Sequence, residues 1–425
     1  MKLKYFMTSN LGGGGQTVSR FPKFLDLIHD DLNSNIGILL NYHYLTFYEK
    51  DGDRKTERVI FNTQELKQLN ENNIDISEFF DLFNPSCKTP RFDVIMDSGA
   101  GKILADEISF YKTGRTEIIN KMMQLVDHHL KFCIEKKSDY IIALDYCKKN
   151  TYKNEEGRST EYNQIIDSLV KDNTAQNELL LKSLEAFEKL SSNGFQNYNY
   201  SPKLLAPLHG ETESSFLEHY ESIRELETKS NNRFAGFALG NLGQFRSKNS
   251  AGQIGRIIKS IRDLGEERDL HILGSSGLNK LIVLLAAGAN FFDCHTPWRR
   301  ANDSDSKVLI PLLDRNSEIN SDSQSIFKNV PLRDLGNYEF NCDCNICRQY
   351  GILEITNLIN NRKKNPDDYY LGKLLIYFHA VYQYKYLLNK FEKGMSLDEV
   401  YSFANLLPDM KLRENILNNL ELLIE

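Results

Sequence analysis

Residues 289–301 read ANFFDCHTPWRRA: two phenylalanines, then an acid, a cysteine, a histidine, the chain's one tryptophan and two arginines. The apolar, strand-like run that stops on Asp293 decides the fold because it is the last of eight. The others are LKYFMTSN (3–10), IGILLNYHY (36–44), FDVIMDSG (92–99), DYIIALDYC (139–147), KLLAPLHG (203–210), FAGFALGN (234–241) and DLHILGSS (269–276). Most of the eight end on a polar or glycine-rich stretch, as strands do when their ends meet solvent.

Between several of these runs the apolar spacing changes to that of a helix. TEIINKMMQLVDHHLKFCIEKK (116–137) sets Ile119, Met122, Val126, Leu130 and Cys133 on one face, and QIGRIIKSIRDLG (253–265) does so with Ile254, Ile257, Ile258, Ile261 and Leu264, with Gly265 as a stop. Apolar strands alternating with helices imply a parallel sheet covered on both sides, and eight such units imply closure. The open, doubly wound alternative lacks its fingerprint: no G-x-G-x-x-G follows the first run. NLGGGGQTVS (10–19) has no Lys-Ser/Thr after its glycines and reads as a turn. The expected fold is therefore α/β, a (β/α)8 TIM barrel with a helical C-terminus, into which CDCNIC (342–347) adds, by its cysteine spacing, an inserted zinc-binding subdomain. Its expected parts are a catalytic barrel over 1–335, the zinc-binding subdomain over 336–385, and C-terminal helices completing the barrel over 386–425. Polar stretches at 148–175 and 191–202 read as loops around a helix at 176–190. Residues 302–330, rich in Asp, Ser and Asn, read as a mobile connection into a cysteine cluster.

Composition narrows the partners. Fifty-eight acidic residues against 52 Lys and Arg give a net charge of -6, so a nucleic acid would have to be met by a local basic patch, with no help from the global charge. The longest apolar run, LIVLLAAGANFF, is too short to span a bilayer, and MKLKYFMTSN lacks a signal-peptide core; no membrane partner and a cytoplasmic location are expected. Seven cysteines, three of them packed into CDCNIC, suit metal binding in a reducing compartment better than a disulfide framework.

In a barrel of this kind the active site forms at the C-terminal ends of the strands, where Asp97, Asp145, His209, Asn241 and Asp293 all fall. One strand-end acid is readily a helix cap, but three together point to a polar pocket. DSGAGK (97–102) resembles part of a phosphate loop but fails the test. Met96 stands where the first glycine belongs and Ile103 where Ser or Thr would hold magnesium; a tight turn exposing Asp97 is the reading. Cys342, Cys344 and Cys347 form C-x-C-x2-C, and His379 is the only histidine downstream. Three thiolates and an imidazole would close a tetrahedral Zn2+ site with no open position, a structural site. Cys294, beside Asp293, reads as a small buried side chain.

Taken in order, the strand ends resemble the tRNA-guanine transglycosylase family. DSGAGK is similar to its DSGG motif, SDYIIALD to its SD-(apolar)-D segment, GFALGNL to its glycine-glycine-leucine strand end, FFDCHTPWR to its MFDC-x-x-P-x-R motif, and CDCNIC to its zinc cluster. The resemblance spans most of the chain. It implies a pentosyltransferase in which Asp293 is the nucleophile, Asp97 the general acid/base, and Asp145 the carboxylate that reads the base's ring nitrogen and exocyclic amine. Ser98, His209, Gly240, Asn241, Leu242, Leu273, Arg299 and Arg300 are then expected to line the substrate site. Structural zinc on Cys342, Cys344, Cys347 and His379 is expected, with neither a redox cofactor nor ATP.

Three positions depart from the family pattern. Gly101 stands where the family stacks an aromatic on the base, His209 replaces a glutamine that binds the base carbonyl, and Asn241 replaces a glycine. With the catalytic pair retained, this divergence resembles the branch that inserts 7-deazaguanine bases into DNA. A nucleic-acid partner, DNA favoured over tRNA, a 7-deazaguanine base such as 7-cyano-7-deazaguanine and a possible homodimer follow from the resemblance. Arg299, Arg300, Arg348 and the NNRKK run (360–364) are candidate phosphate contacts. Competing readings are the same exchange on tRNA, a noncatalytic nucleic-acid-binding subunit of the family, and a zinc hydrolase. His295 and Trp298 flank the family's proline without matching its neighbours, and are expected to distinguish the polynucleotide.

Overall fold

The computed structural model describes residues 3–8, 36–43, 93–108, 114–135, 138–147, 160–194, 201–242, 245, 247–275, 277–302, 307–311, 327–337, 342, 344–361, 366–391, 396–405 and 410–424. The eight expected runs form β1 Lys4–Thr8, β2 Ile36–Asn41, β3 Asp93–Asp97, β4 Tyr140–Ile142, β5 Lys203–Leu208, β6 Gly236–Leu239, β7 Asp269–Ile272 and β8 Phe291–Asp293. They pair in parallel in chain order and close into a barrel, with Tyr5 of β1 in register with Phe292 of β8. Described helices follow as α1 Arg115–Glu135, α2 Thr160–Val170, α3 Asn173–Gly194, α4 Glu213–Ser230, α5 Ser250–Asp263 and α6 Leu278–Ala286. After β8 come α7 Thr296–Asn302, α8 Asn345–Asn360, α9 Pro366–Phe391, α10 Leu397–Asn405 and α11 Met410–Glu421. Among the described residues, no helix is long and apolar enough to cross a membrane.

The two-residue period of a strand sorts each run into a lumen set and a helix-facing set. Phe6, Leu39, Ile95, Tyr140, Ile142, Leu205, Ala238 and Phe291 fill the barrel interior, while Tyr5, Met7 and Phe292 pack outward into the helix layer. The room is tight: a Cβ on Gly37 would stand 2.6 Å from the Phe6 ring. Since Phe291 points inward and Phe292 outward, Asp293 points inward again, at the open end. Burying each aromatic contributes roughly 1.5–3 kcal/mol, so a one-residue slip that put Asp293 in the helix layer would be strongly opposed.

The helices largely follow the expected faces. On α1, Met122, Val126, Leu130 and Cys133 are buried, with Ile118 leading the stripe and Ile119 half-buried at its edge. On α5, Ile254, Ile257, Ile258 and Ile261 are buried, but Leu264 is 54% exposed. The helix has ended by then, and Gly265 turns the chain at a φ of 81°.

Two expectations are corrected. The stretch 148–175 contains α2, and α3 begins at Asn173, well before residue 176; Tyr162, Ile166 and Leu169 give α2 a buried face at helical spacing, which its many polar residues mask. The stretch 302–330 contains β9 Lys307–Pro311 and β10 Phe327–Pro331, an antiparallel pair with Val308, Leu309 and Val330 buried. NLGGGGQTVS lies outside the described residues. Helix α9 runs unbroken across residue 385 and packs on β1, where Tyr377 donates to the Thr8 carbonyl at 3.1 Å.

Candidate active site and metal centre

The open end of the barrel carries a cavity of about 1120 Å³. Asp97, Ser98, Asp145, His209, Gly240, Asn241, Leu242, Leu273, Asp293, Arg299 and Arg300 all line it, so the catalytic pair and the residues expected to line the substrate site meet in one place. The cavity is larger than a single base requires.

Asp97 closes β3, and Gly99 turns the chain sharply after it with a φ of 64°. A Cβ on Gly99 would stand 2.6 Å from Oδ1 of Asn41 and 2.7 Å from Cβ of His43, so the turn that presents Asp97 requires glycine. Asn41, its register partner on β2, donates through Nδ2 to Oδ2 of Asp97 at 2.6 Å, and the Gly99 amide donates to Oδ1 at 3.4 Å. Burial pushes the Asp97 carboxyl up from 3.8 to about 6; Asp293 and Asp145 push the same way, and the two donors oppose them.

Asp293 is 3% exposed, and both of its donors meet one oxygen. Nε2 of His271 and the Gly274 amide each donate to Oδ1 at 3.0 Å, and neither engages Oδ2. Behind it, the Tyr5 and Thr8 hydroxyls donate to the Cys294 carbonyl at 3.2 and 3.3 Å, fixing the end of β8. Asp145 lies just past β4. Ser98 Oγ donates to its Oδ1 at 3.5 Å, and Nε2 of His209 pairs closely with Oδ2. Gln176 of α3 braces this strand end, its side chain bonding both the amide and the carbonyl of Tyr146.

Around the acids the rim is cationic. Lys102, Lys248 and Lys280 join Arg299 and Arg300 in the lining, the local patch that a chain of net charge -6 would need to meet phosphates. Lys280 donates to Ser275 Oγ at 3.3 Å, and burial lowers its pKa. Arg348 lies on α8, bonded to Asn345 and outside this lining; of NNRKK, residues 362–364 lie outside the described residues. Cys294 is buried, as expected, with Sγ 2.9 Å from Thr296 Oγ1. His295 is exposed at the cavity, whereas Trp298 packs edge-on against Tyr377 of α9 at 5.3 Å; Trp298 is a packing residue.

Asn41, His271, Gly274, Lys102, Lys248 and Lys280 were not expected. Asn41 carried a signal, since it ends its apolar run as Asp97 does. His271 sits inside its run, where a histidine among apolar neighbours reads as core. Its 0% exposure agrees, and only the distance to Asp293 reveals its task.

The cysteine cluster gathers four side chains that could hold a metal ion. The ligand atoms of Cys342, Cys344, Cys347 and His379 lie within 4.8 Å of one another, with Nδ1 of His379 at 3.6, 3.6 and 3.3 Å from the three sulfurs. A tetrahedral zinc ion with ordinary Zn–S and Zn–N bonds sets that edge at about 3.6 Å, so the donor set fits. Nε2 of His379 donates to the Leu309 carbonyl at 2.7 Å, which leaves Nδ1 to face the metal. Gln383 and the Cys347 amide donate to Cys342 and Cys344 sulfur. Four protein ligands leave no open position, so the group could hold zinc in a structural role.

A family model described as queuine tRNA-ribosyltransferase matches residues 137–406, well over half of the chain. A search of curated proteins finds no match.

Two predictions follow from this geometry. Folding raises the Asp97 pKa, so its ionised form opposes folding. Stability is lost as pH rises from 3.8 through about 6, and it stays lost above. Asp97→Asn should therefore raise the unfolding free energy at pH 7.5 by on the order of 2 kcal/mol, a gain that shrinks below pH 6 and is gone below about pH 4. Denaturant melts across that range test this; a variant no more stable than wild type at pH 7.5 would refute it. Cys344→Ser should lower metal content and melting temperature together, because a closed site couples binding to folding. A fully folded, metal-free protein would contradict the assignment.

Proposed function

The chain belongs to the queuine tRNA-ribosyltransferase family, a family of pentosyltransferases, and on that premise we propose that it exchanges guanine in a nucleic acid, DNA in preference to tRNA, for a 7-deazaguanine base such as 7-cyano-7-deazaguanine. The observation that carries the reading is the convergence of three differently held carboxylates under a cationic rim.

In the proposed reaction Oδ2 of Asp293, the oxygen that neither donor engages, attacks C1′ of the target nucleoside. The C1′–N9 bond breaks, the departing guanine takes a proton from Asp97, and the sugar is held as an aspartyl ester. A carboxyl with a pKa near 6 can carry that proton close to neutral pH. An incoming 7-deazaguanine then gives its N9 proton to Asp97 and attacks C1′, releasing Asp293. Two displacements retain the configuration, as in retaining glycosidases. Asp145 and Ser98 serve the base edge; Lys102, Lys248, Lys280, Arg299 and Arg300 serve phosphates.

The preference for DNA rests on the departures at Gly101, His209 and Asn241, all on the base-binding wall. A duplex substrate must flip its nucleotide into the cavity, costing a few kcal/mol. The matching family's description favours the alternative, the same exchange on tRNA. The intact donors around Asp97 and Asp293 weigh against a noncatalytic subunit, and the closed donor set weighs against a zinc hydrolase. A cytoplasmic homodimer completes the proposal.

Incubation with 7-cyano-7-deazaguanine and either duplex DNA or tRNA, followed by digestion to nucleosides and mass spectrometry, should show incorporation into DNA; incorporation into tRNA alone would reverse the order of the two readings. Asp293→Ala should abolish exchange and any denaturant-resistant nucleic-acid adduct while leaving the melting temperature near that of wild type. Exchange that survives this substitution would remove Asp293 from the mechanism.

A further inference from the structure

Asp145 does not face the cavity with two open oxygens. Its Oδ2 is taken by Nε2 of His209, and both side chains are nearly fully buried, at 4% and 5% exposure. Among the described residues, nothing comparable holds Oδ1. The Ser98 hydroxyl stands at 3.5 Å, the limit of a hydrogen bond, while accepting from the Ala100 amide at 3.3 Å; among the described residues the Cys147 thiol, a weak donor, also meets the carboxylate.

The His209 ring is wedged in place. A Cβ on Gly240 would stand 2.6 Å from its Cε1 and 3.0 Å from its Nδ1, so this edge of the ring packs into space that a side chain at 240 would take. On α4, His219 stacks near it, centroids 6.2 Å apart and planes at 25°, and Nδ1 of His219 meets the His209 backbone at 3.2 Å from its amide. Nδ1 of His209 already lacks a partner among the described residues. Pulling Nε2 off Asp145 would leave both ring nitrogens buried and unpaired, a cost beyond that of the lost bond.

We infer that His209 is a specificity-determining residue: it leaves Asp145 one oxygen for the base, so the site reads the purine ring N–H and is nearly indifferent to the 2-amino group. A free carboxylate accepts in line from both N–H groups on the N1/N2 edge of guanine; with Oδ2 already bonded to a buried imidazole, a second bond at that oxygen must be shared with the imidazole, and Oδ1 is the one acceptor left free to align on that edge. The inference rests on the proposed base-exchange reading and deepens it. Guanine and hypoxanthine, which differ only in the 2-amino group, are the two ligands that test it.

Calorimetric binding of guanine and hypoxanthine, and exchange of each labelled base into nucleic acid, should differ by less than about tenfold with the wild-type protein. His209→Leu keeps much of the ring's volume and frees Oδ2, and should raise the guanine preference by about tenfold or more, the size of one charge-assisted hydrogen bond. Should that variant fail to melt cooperatively, Gly240→Ala displaces the same ring by contact with Cε1 and should shift the ratio in the same direction. A wild-type guanine preference above about tenfold, or a ratio that both substitutions leave unchanged, overturns the inference. Binding in the expected ratio without any exchange would instead overturn the transglycosylase reading and leave the role of His209 standing.

Discussion

Three carboxylates gathered in one cavity repel one another, and the mouth of this barrel is organised around holding them. Each draws a side-chain N–H from the neighbouring strand: Asn41 on β2 for Asp97 on β3, His209 past β5 for Asp145 past β4, His271 on β7 for Asp293 on β8. The parallel ladder makes this possible, because same-face residues on adjacent strands come within side-chain reach. A buried carboxylate without such a donor would take up a proton or cost several kcal/mol. The strand-end acids and the polar residues beside them are therefore one construction.

The three clamps differ in ways that suit different tasks. Asp97 is held by both oxygens yet keeps a raised pKa, because the repulsion and burial it shares with its neighbours outweigh two donors. Asp293 is held by one oxygen only, which fixes the direction of the other. A group that must carry a proton gains from the first arrangement, and one that must offer a lone pair along a fixed line gains from the second. The geometry thus separates two chemically identical side chains by the donors that hold them.

The barrel was legible because its signal is periodic and repeated. Eight apolar runs ending on polar residues allowed few other folds, and the lumen and helix-facing sets follow from period two alone. The acids and the C-x-C-x2-C cluster were legible because their residue types are rarely placed so without a task. The donors were less so: Asn41 and His209 stood at the ends of apolar runs, but nothing in the sequence paired them with their acids. His271 is locally an ordinary core histidine, and the lock between His209 and Asp145 depends on residues 64 positions apart. Polar composition also hid elements that are ordered: α2 and the β9–β10 pair bury only a few apolar residues each, and their solvent faces dominate the local average.

The candidate metal centre and the candidate active site are distinct, yet one helix joins them. Helix α9 offers His379 to the cysteine cluster, and along the same helix Tyr377 bonds the Thr8 carbonyl and Tyr384 packs against Tyr5 at 4.8 Å. Tyr5 in turn donates to the Cys294 carbonyl, one residue after Asp293. The β9 strand, read from sequence as a loop, supplies the carbonyl that orients His379. A metal that anchors α9 would therefore hold the seam between β1 and β8, where the barrel closes and where Asp293 is aimed. Its influence on the chemistry would be positional, transmitted through Tyr5 and Tyr377 and not through its own charge, and this is what a site with no open coordination position can contribute.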